Sequence, residues 1–193
     1  VNRLQPEAML FNVMDWIREA GFESVNVDLI YGLPFQTQET FQETVRKTLQ
    51  LNPDRIAVFN FAYVPWLKPM QKRMPEAALP NASEKLKILQ TTIAQLTQNG
   101  YVFIGMDHFA LPHDELVMAQ NQSYLTRNFM GYTTRRSSTL LAVGPSSISS
   151  LPGCFAQNIK DFEVYQHAVQ TNGFAIERGV WRSNEDLKRS EII

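Results

Sequence analysis

Asn26, Asp28 and Ile30 alternate with Val25, Val27 and Leu29 in one short run. Successive side chains of an extended strand point to opposite faces. The apolar trio suits a helix-packed side, so Asn26 and Asp28 must face a surface that tolerates polar groups. Asp28 then either lines a cavity or hydrogen-bonds a neighbouring strand or turn. Asp107 and His108 close another apolar run. A carboxylate beside an imidazole can do acid–base work or hold one tautomer, although a structural hydrogen-bonded pair is the plainer expectation. His113 and Asp114 follow closely, but no helical His-x3-His or similar ligand spacing occurs, so no metal site is expected there. Trp66, Lys68, Lys72 and Arg73 form an aromatic and basic loop that can meet anionic groups; a solvated loop is the expectation. Arg135 and Arg136 are read both ways, as contacts for an anionic substrate or as solvated cations. Cys154 has no partner thiol and is expected to be a small buried residue. His167 is expected in solvent on a late helix.

The elements that position these residues follow from periodicity and punctuation. A first helix is expected from Pro6 to Ala20, with Pro in the first turn and Gly21 as a left-handed stop. A strand from Ser24 to Ile30 leads into Tyr31-Gly32-Leu33-Pro34. Phe41, Thr44, Val45, Thr48 and Leu49 make one stripe of a helix over Gln38 to Gln50, stopped by Asn52-Pro53-Asp54. A strand from Arg55 to Ala62 precedes a loop holding Pro65, Pro69, Pro75 and Pro80. Asn81 with Glu84 resembles a capping box for a helix whose apolar face is Leu86, Leu89, Ile93 and Leu96. A third strand runs from Tyr101 to Met106. Helices alternating with strands in this way predict an α/β fold with a parallel sheet and outer helices, whose ligand-binding face lies at the carboxyl ends of the strands. Beyond it, Asp114 caps a helix to about Tyr124, Leu140 to Ser150 holds a short strand, Asp161 to Gln170 is helical before Asn172-Gly173, and Trp181 to Ile193 begins a further helix.

Composition removes several function classes. The chain has 193 residues, of which 44% are hydrophobic, and a formal net charge of -1. That leaves no basic field for nucleic acid. One cysteine excludes an internal disulfide framework and points to a reducing, cytoplasmic setting. No apolar run approaches the roughly 18 residues of a membrane span. The chain starts at Val1 without a signal-peptide pattern and reads as a piece of a longer protein.

Several words of sequence resemble those of the oxygen-independent coproporphyrinogen III oxidases, a family of radical S-adenosylmethionine (SAM) enzymes. They are Val1-Asn2-Arg3, Asn26-Val27-Asp28-Leu29-Ile30-Tyr31-Gly32-Leu33-Pro34, Leu51-Asn52-Pro53-Asp54-Arg55, Phe59-Asn60-Phe61-Ala62, Gly105-Met106-Asp107-His108-Phe109-Ala110, Asn128-Phe129-Met130-Gly131-Tyr132-Thr133-Thr134 and Ala156-Gln157-Asn158. The resemblance covers essentially the whole chain. The word from Asp28 to Pro34 is shared with haem-chaperone relatives; the Gly105 and Asn128 words are more discriminating.

The resemblance implies a partial (β/α) barrel with a curved parallel sheet and outer helices, followed by an irregular C-terminal extension. Residues 1–150 would be the C-terminal half of the barrel and 151–193 a linker and the start of a helical domain. It implies oxidative decarboxylation of two propionates of coproporphyrinogen III to vinyl groups, by a 5′-deoxyadenosyl radical from SAM and a [4Fe–4S] cluster. Two SAM molecules are implied in the parent enzyme. Arg3 and Asp28 match positions at the second of them, with Ile30 beside it; Phe59, Ala62 and Ile148 match positions around the first. Asp28 can accept hydrogen bonds from ribose hydroxyls or an ammonium, and Arg3 can grip a carboxylate. Arg135, Arg136, Asp107 and His108 are candidates to meet substrate. The cluster cysteines are missing from this chain, so the piece alone is expected to be inactive, with no metal ligands of its own. The parent is expected to be a monomer with an unknown electron donor, and the piece is expected to self-associate through a bared sheet edge. Two other readings compete: a haem-holding chaperone relative, and a barrel hydrolase or aldolase using Asp28, Asp107 and His108.

Overall fold

The structure is a computed structural model describing residues 4–135 and 139–189. Arg3 and Arg136 lie outside the described residues. The chain divides into two compact units, Val1–Gln122 and Ser123–Ile193.

The first unit opens with α1 (Glu7–Glu19), entered from Pro6 and followed by Gly21 at φ +80°. Strand β1 (Asn26–Tyr31) follows, then α2 (Gln38–Gln50) and β2 (Arg55–Asn60). Two short 3-10 turns, Pro69–Arg73 and Glu76–Ala78, shape the next loop. Both later helix starts are pinned reciprocally. Thr37 caps α2 through Thr40, and Asn81 caps α3 (Ala82–Gln98) through Glu84, with bonds of 3.0 and 2.7 Å. Phe41 and Val45 of α2 and Ile88 and Leu96 of α3 pack on Leu29, Tyr31, Ile56, Val58 and Phe109 of the sheet. Each such fully buried side chain contributes about 1.5–3 kcal/mol relative to exposure.

The sheet is mixed, which corrects the expectation of parallel pairing throughout. Its order is β1-β2-β4-β3, with β3 (Val102–Gly105) and β4 (His108–Ala110) forming a hairpin. β1 and β2 are parallel in register, but β4 runs antiparallel to both β2 and β3. The chain reverses at Gly105 (φ +140°) and Met106 (φ +49°). Phe109 and Ala110 are each 1% exposed, so β4 fills the place between β2 and β3 with core residues. The unit ends with α4 (Glu115–Asn121), capped by Asp114.

The second unit corrects the expectation of an irregular extension. A hairpin of β5 (Thr126–Asn128) and β6 (Gly131–Thr133) precedes an antiparallel sheet ordered β7-β8-β9: Ile148–Leu151, Cys154–Asn158 and Ile176–Trp181. Helix α5 (Phe162–Asn172) is capped by Asp161 and closed by Gly173 at φ +79°, as its punctuation predicts. Trp181 belongs to β9, and α6 spans Asn184–Arg189; residues 190–193 of the expected helix lie outside the described residues. Gly179 has a backbone reason to be glycine: a Cβ there would meet the Phe155 carbonyl oxygen at 2.9 Å. Among the described residues the sheets have four, two and three strands, and none closes on itself. The chain is therefore a mixed α/β protein of small open sheets.

Candidate functional site

The face of the first sheet away from α2 and α3 carries the polar strand residues. Along β1, Asn26, Asp28 and Ile30 are exposed while Leu29 and Tyr31 are buried, the alternation expected from the sequence. Asn26 Nδ2 donates to Asp28 Oδ1 at 2.6 Å, which fixes the carboxylate's orientation. This is a local bond within one strand, and it leaves acceptor capacity on Asp28 for a ligand.

Register sets the neighbours. Ile30 pairs with Phe59, and Asp28 pairs with Ala57, which in turn pairs with His108. Asp28 and His108 therefore stand on either side of one methyl group, about 10 Å apart at two strand spacings. Phe59 meets His108 edge-on, with ring centroids 6.0 Å apart at 89°. The face thus presents a carboxylate, an aliphatic side chain, an aromatic ring and an imidazole in one plane. A nucleoside needs this mixture: acceptors for hydroxyls and an apolar surface for the base.

Asp107 lies in the turn between β3 and β4, and His108 opens β4. The Asp107 carbonyl accepts from Val58 N–H at 2.7 Å. The Tyr31 hydroxyl has its pKa raised, first by burial and then by the charge of Asp107, so Asp107 bears on the core-side tyrosine.

The rim beyond the strands is held by side-chain amides. Gln36 Oε1 accepts from Gly32 N–H at 2.6 Å and Leu33 N–H at 3.3 Å, while its Nε2 donates to the Ile30 carbonyl at 3.3 Å. Gly32, at φ +85°, lies under the Lys85 stem; a Cβ there would meet Lys85 Cε at 2.9 Å and Asn60 Oδ1 at 3.2 Å. Gln71 does the same service for the exit of β2. Its Oε1 accepts from Val64 N–H at 2.6 Å and its Nε2 donates to the Ala62 carbonyl at 3.0 Å. That pair of bonds imitates a strand partner for residues 62–64. Sequence reasoning missed both glutamines, since neither lies in a periodic or turn-forming pattern.

Other expected positions stand as follows. Ala62 is exposed on this rim. A cleft of about 690 Å³ runs between α1, β1 and α2, lined in part by Leu10, Met14, Val27 and Asp28. In the second unit, Ile148 starts β7 opposite Gln157 and is half-buried. Asn158 donates to the Gly144 carbonyl at 3.0 Å and lies 3.1 Å from Ser147 Oγ, which shapes the loop before β7. Phe129 stacks edge-on against Phe155 at 5.1 Å, and the Arg182 guanidinium lies over Phe155 at 4.9 Å. Arg135 is exposed, with its N–H donating to Thr133 Oγ1 at 3.1 Å. Cys154 is half-buried. Among the described residues no group of three or more His, Cys, Asp or Glu could hold a metal ion.

No family model matches the chain. It is 64% identical over 193 residues to oxygen-independent coproporphyrinogen III oxidase of Synechocystis sp., covering all of this chain and 41% of that protein. The enzymes of the same name from Thermostichus vulcanus and Escherichia coli are 52% and 48% identical, with 60% and 42% of their lengths covered. A solved structure of the Escherichia coli enzyme, described as a radical SAM enzyme, superposes with a TM-score of 0.96 at 48% identity, over all of this chain and 44% of that one. The chain thus spans less than two thirds of the length of these relatives.

Proposed function

We propose, for a chain homologous over its whole length to part of the oxygen-independent coproporphyrinogen III oxidases, that it forms one wall of the SAM and substrate chamber of such an enzyme. The observation that carries this reading is 64% identity sustained over all 193 residues. In the parent, residues 1–150 contribute to a partial (β/α) barrel and 151–193 lead towards a helical domain. The parent is a monomeric cytoplasmic enzyme of haem synthesis.

We assign two SAM molecules and a [4Fe–4S] cluster to the parent; when bound, they would supply radical chemistry for oxidative decarboxylation of substrate propionates to vinyl groups. The residues of this chain fit the nucleoside part of that set. Asp28, already oriented by Asn26, accepts hydrogen bonds from ribose hydroxyls or the methionine ammonium of the second SAM, beside Ile30. Phe59, 36% exposed, offers a face to the adenine or methionine of the first. Ala62 is small enough to let that nucleoside lie against backbone. Arg3 is assigned to the second SAM, and Arg135, Arg136 and His108 to the substrate side. The described residues do not fit the cluster, whose ligands we assign to the remainder of the parent.

The test compares the full-length enzyme with this segment under anaerobic conditions. The full-length enzyme is expected to convert coproporphyrinogen III to protoporphyrinogen IX with formation of 5′-deoxyadenosine, and the segment alone to make none. Tight haem binding by the full-length protein with no decarboxylation would overturn the reading in favour of a haem-holding relative.

A further inference from the structure

The loop after β2 carries features that no assignment above uses. Trp66, Leu67 and Met70 are 73%, 70% and 68% exposed. Lys68, Lys72 and Arg73 are interleaved with them and are also exposed. None of these cations forms an ion pair among the described residues, whereas Arg18, Arg46, Lys47, Arg55 and Arg189 all do. An apolar cluster this exposed in so short a segment marks a contact surface. Three cations with no ion pair among the described residues beside that cluster fit an anionic, amphiphilic ligand.

The loop is also held in place. The 3-10 turn Pro69–Arg73 contains Gln71, whose amide grips both Val64 N–H and the Ala62 carbonyl. The turn bearing Lys72 and Arg73 is thus tied to the stretch that leaves the carboxyl end of β2, the end where parallel strands bind ligands.

We propose that the Trp66–Arg73 loop is the docking site for the propionate-bearing edge of the tetrapyrrole, with Lys72 and Arg73 taking the carboxylates of propionates that are not reacting. This deepens the oxidase reading and rests on it. The substrate named by the relatives is a broad apolar macrocycle with a propionate on each ring, and the loop is complementary to it in both respects. An arginine and a lysine can hold neighbouring carboxylates, the first through a planar fork and the second as a mobile point charge. Trp66, Leu67 and Met70 cover the macrocycle edge between them. Gln71 is a positioning residue in this arrangement.

Coproporphyrin III, the fluorescent oxidised form of the substrate, provides the test. The full-length protein is titrated with it, and separately with its tetramethyl ester, by fluorescence anisotropy. The paired reversal Lys72→Glu with Arg73→Glu is expected to weaken binding of the acid by about tenfold or more. The exchange Lys72→Arg with Arg73→Lys is expected to restore it to within about threefold, and the ester to bind weakly to every form. In the anaerobic assay the reversal is expected to raise KM for coproporphyrinogen III, with kcat and the thermal midpoint little changed. Unchanged affinity in the double reversal, or equal binding of the ester, would overturn the site while the wild type still decarboxylates. Binding of anionic phospholipid vesicles through these cations, with porphyrin affinity untouched, would overturn it in favour of a membrane contact. A wild-type enzyme without decarboxylase activity would overturn the oxidase reading and this site with it.

Discussion

Asp54 gathers more of the first unit than any other single carboxylate. Its Oδ2 accepts from Val25 N–H and from Arg18, each at 2.7 Å, and His113 Nε2 lies 3.9 Å from its Oδ1. Burial alone would raise its pKa. The hydrogen bonds from Val25 and Arg18 and the charge of Arg18 outweigh that, so the net shift is downward. A depressed folded-state pKa gives stability that is present above the unfolded pKa of about 3.9 and is lost as pH falls through the folded value. Tyr101 acts at the opposite limit. Burial pushes its hydroxyl up to about 12, and it donates to the Pro53 carbonyl at 2.6 Å. A raised pKa gives stability that is complete below about 10 and is lost as pH rises towards the folded value. Urea midpoints should therefore fall below about pH 4 and above about pH 10. Asp54→Asn should flatten only the acid side, and Tyr101→Phe only the alkaline side. An acid limb as steep in Asp54→Asn as in the wild type would assign it to other groups.

At the scale of elements, the segment Tyr101 to Ala110, expected as a strand ending at Met106 and found as the β3–β4 hairpin, shows where pattern ends and tertiary structure begins. A tight reversal is normally announced by Gly, Asn or Asp. Here half of it is carried by Met106, a non-glycine residue at φ +49°. A β-branched residue tolerates that region badly. Met106→Val should destabilise the β3–β4 hairpin by about 1–2 kcal/mol, whereas Met106→Gly should lie within about 0.5 kcal/mol of the wild type; equal denaturation midpoints for the two variants would place the strain elsewhere. The span of α1 was legible from Pro6 and Gly21 and those of α2 and α3 from their caps, as was the face of β1 that bears Asp28; Leu86, expected on the apolar face of α3, is instead 54% exposed. β8 and β9 were not legible. Cys154, Gln157 and Asn158 give no clear alternation, and every residue of β9 is exposed, so no buried face wrote itself into the pattern. The rim glutamines were illegible for another reason, because a side-chain amide that imitates a backbone partner is defined only by where the chain brings it.

At the scale of the whole molecule, β1 ends its sheet with β2 as its one neighbour among the described residues. A strand with an unpaired edge is a template for another chain. In the second unit, Ile176, Val180 and Trp181 of β9 are 53%, 65% and 83% exposed. The segment prepared alone should therefore self-associate, with a light-scattering mass that grows with concentration. A monodisperse monomer across the concentration range would count against this. The open side of β1 also makes a natural clock. Amides on that side have no strand to hold their protons, so in the segment alone they should exchange with deuterium within seconds to minutes. Those amides slow down when a neighbouring strand is laid beside them. Protection of the outward-facing amides between Val27 and Ile30 would then time the moment at which a further strand pairs with this edge.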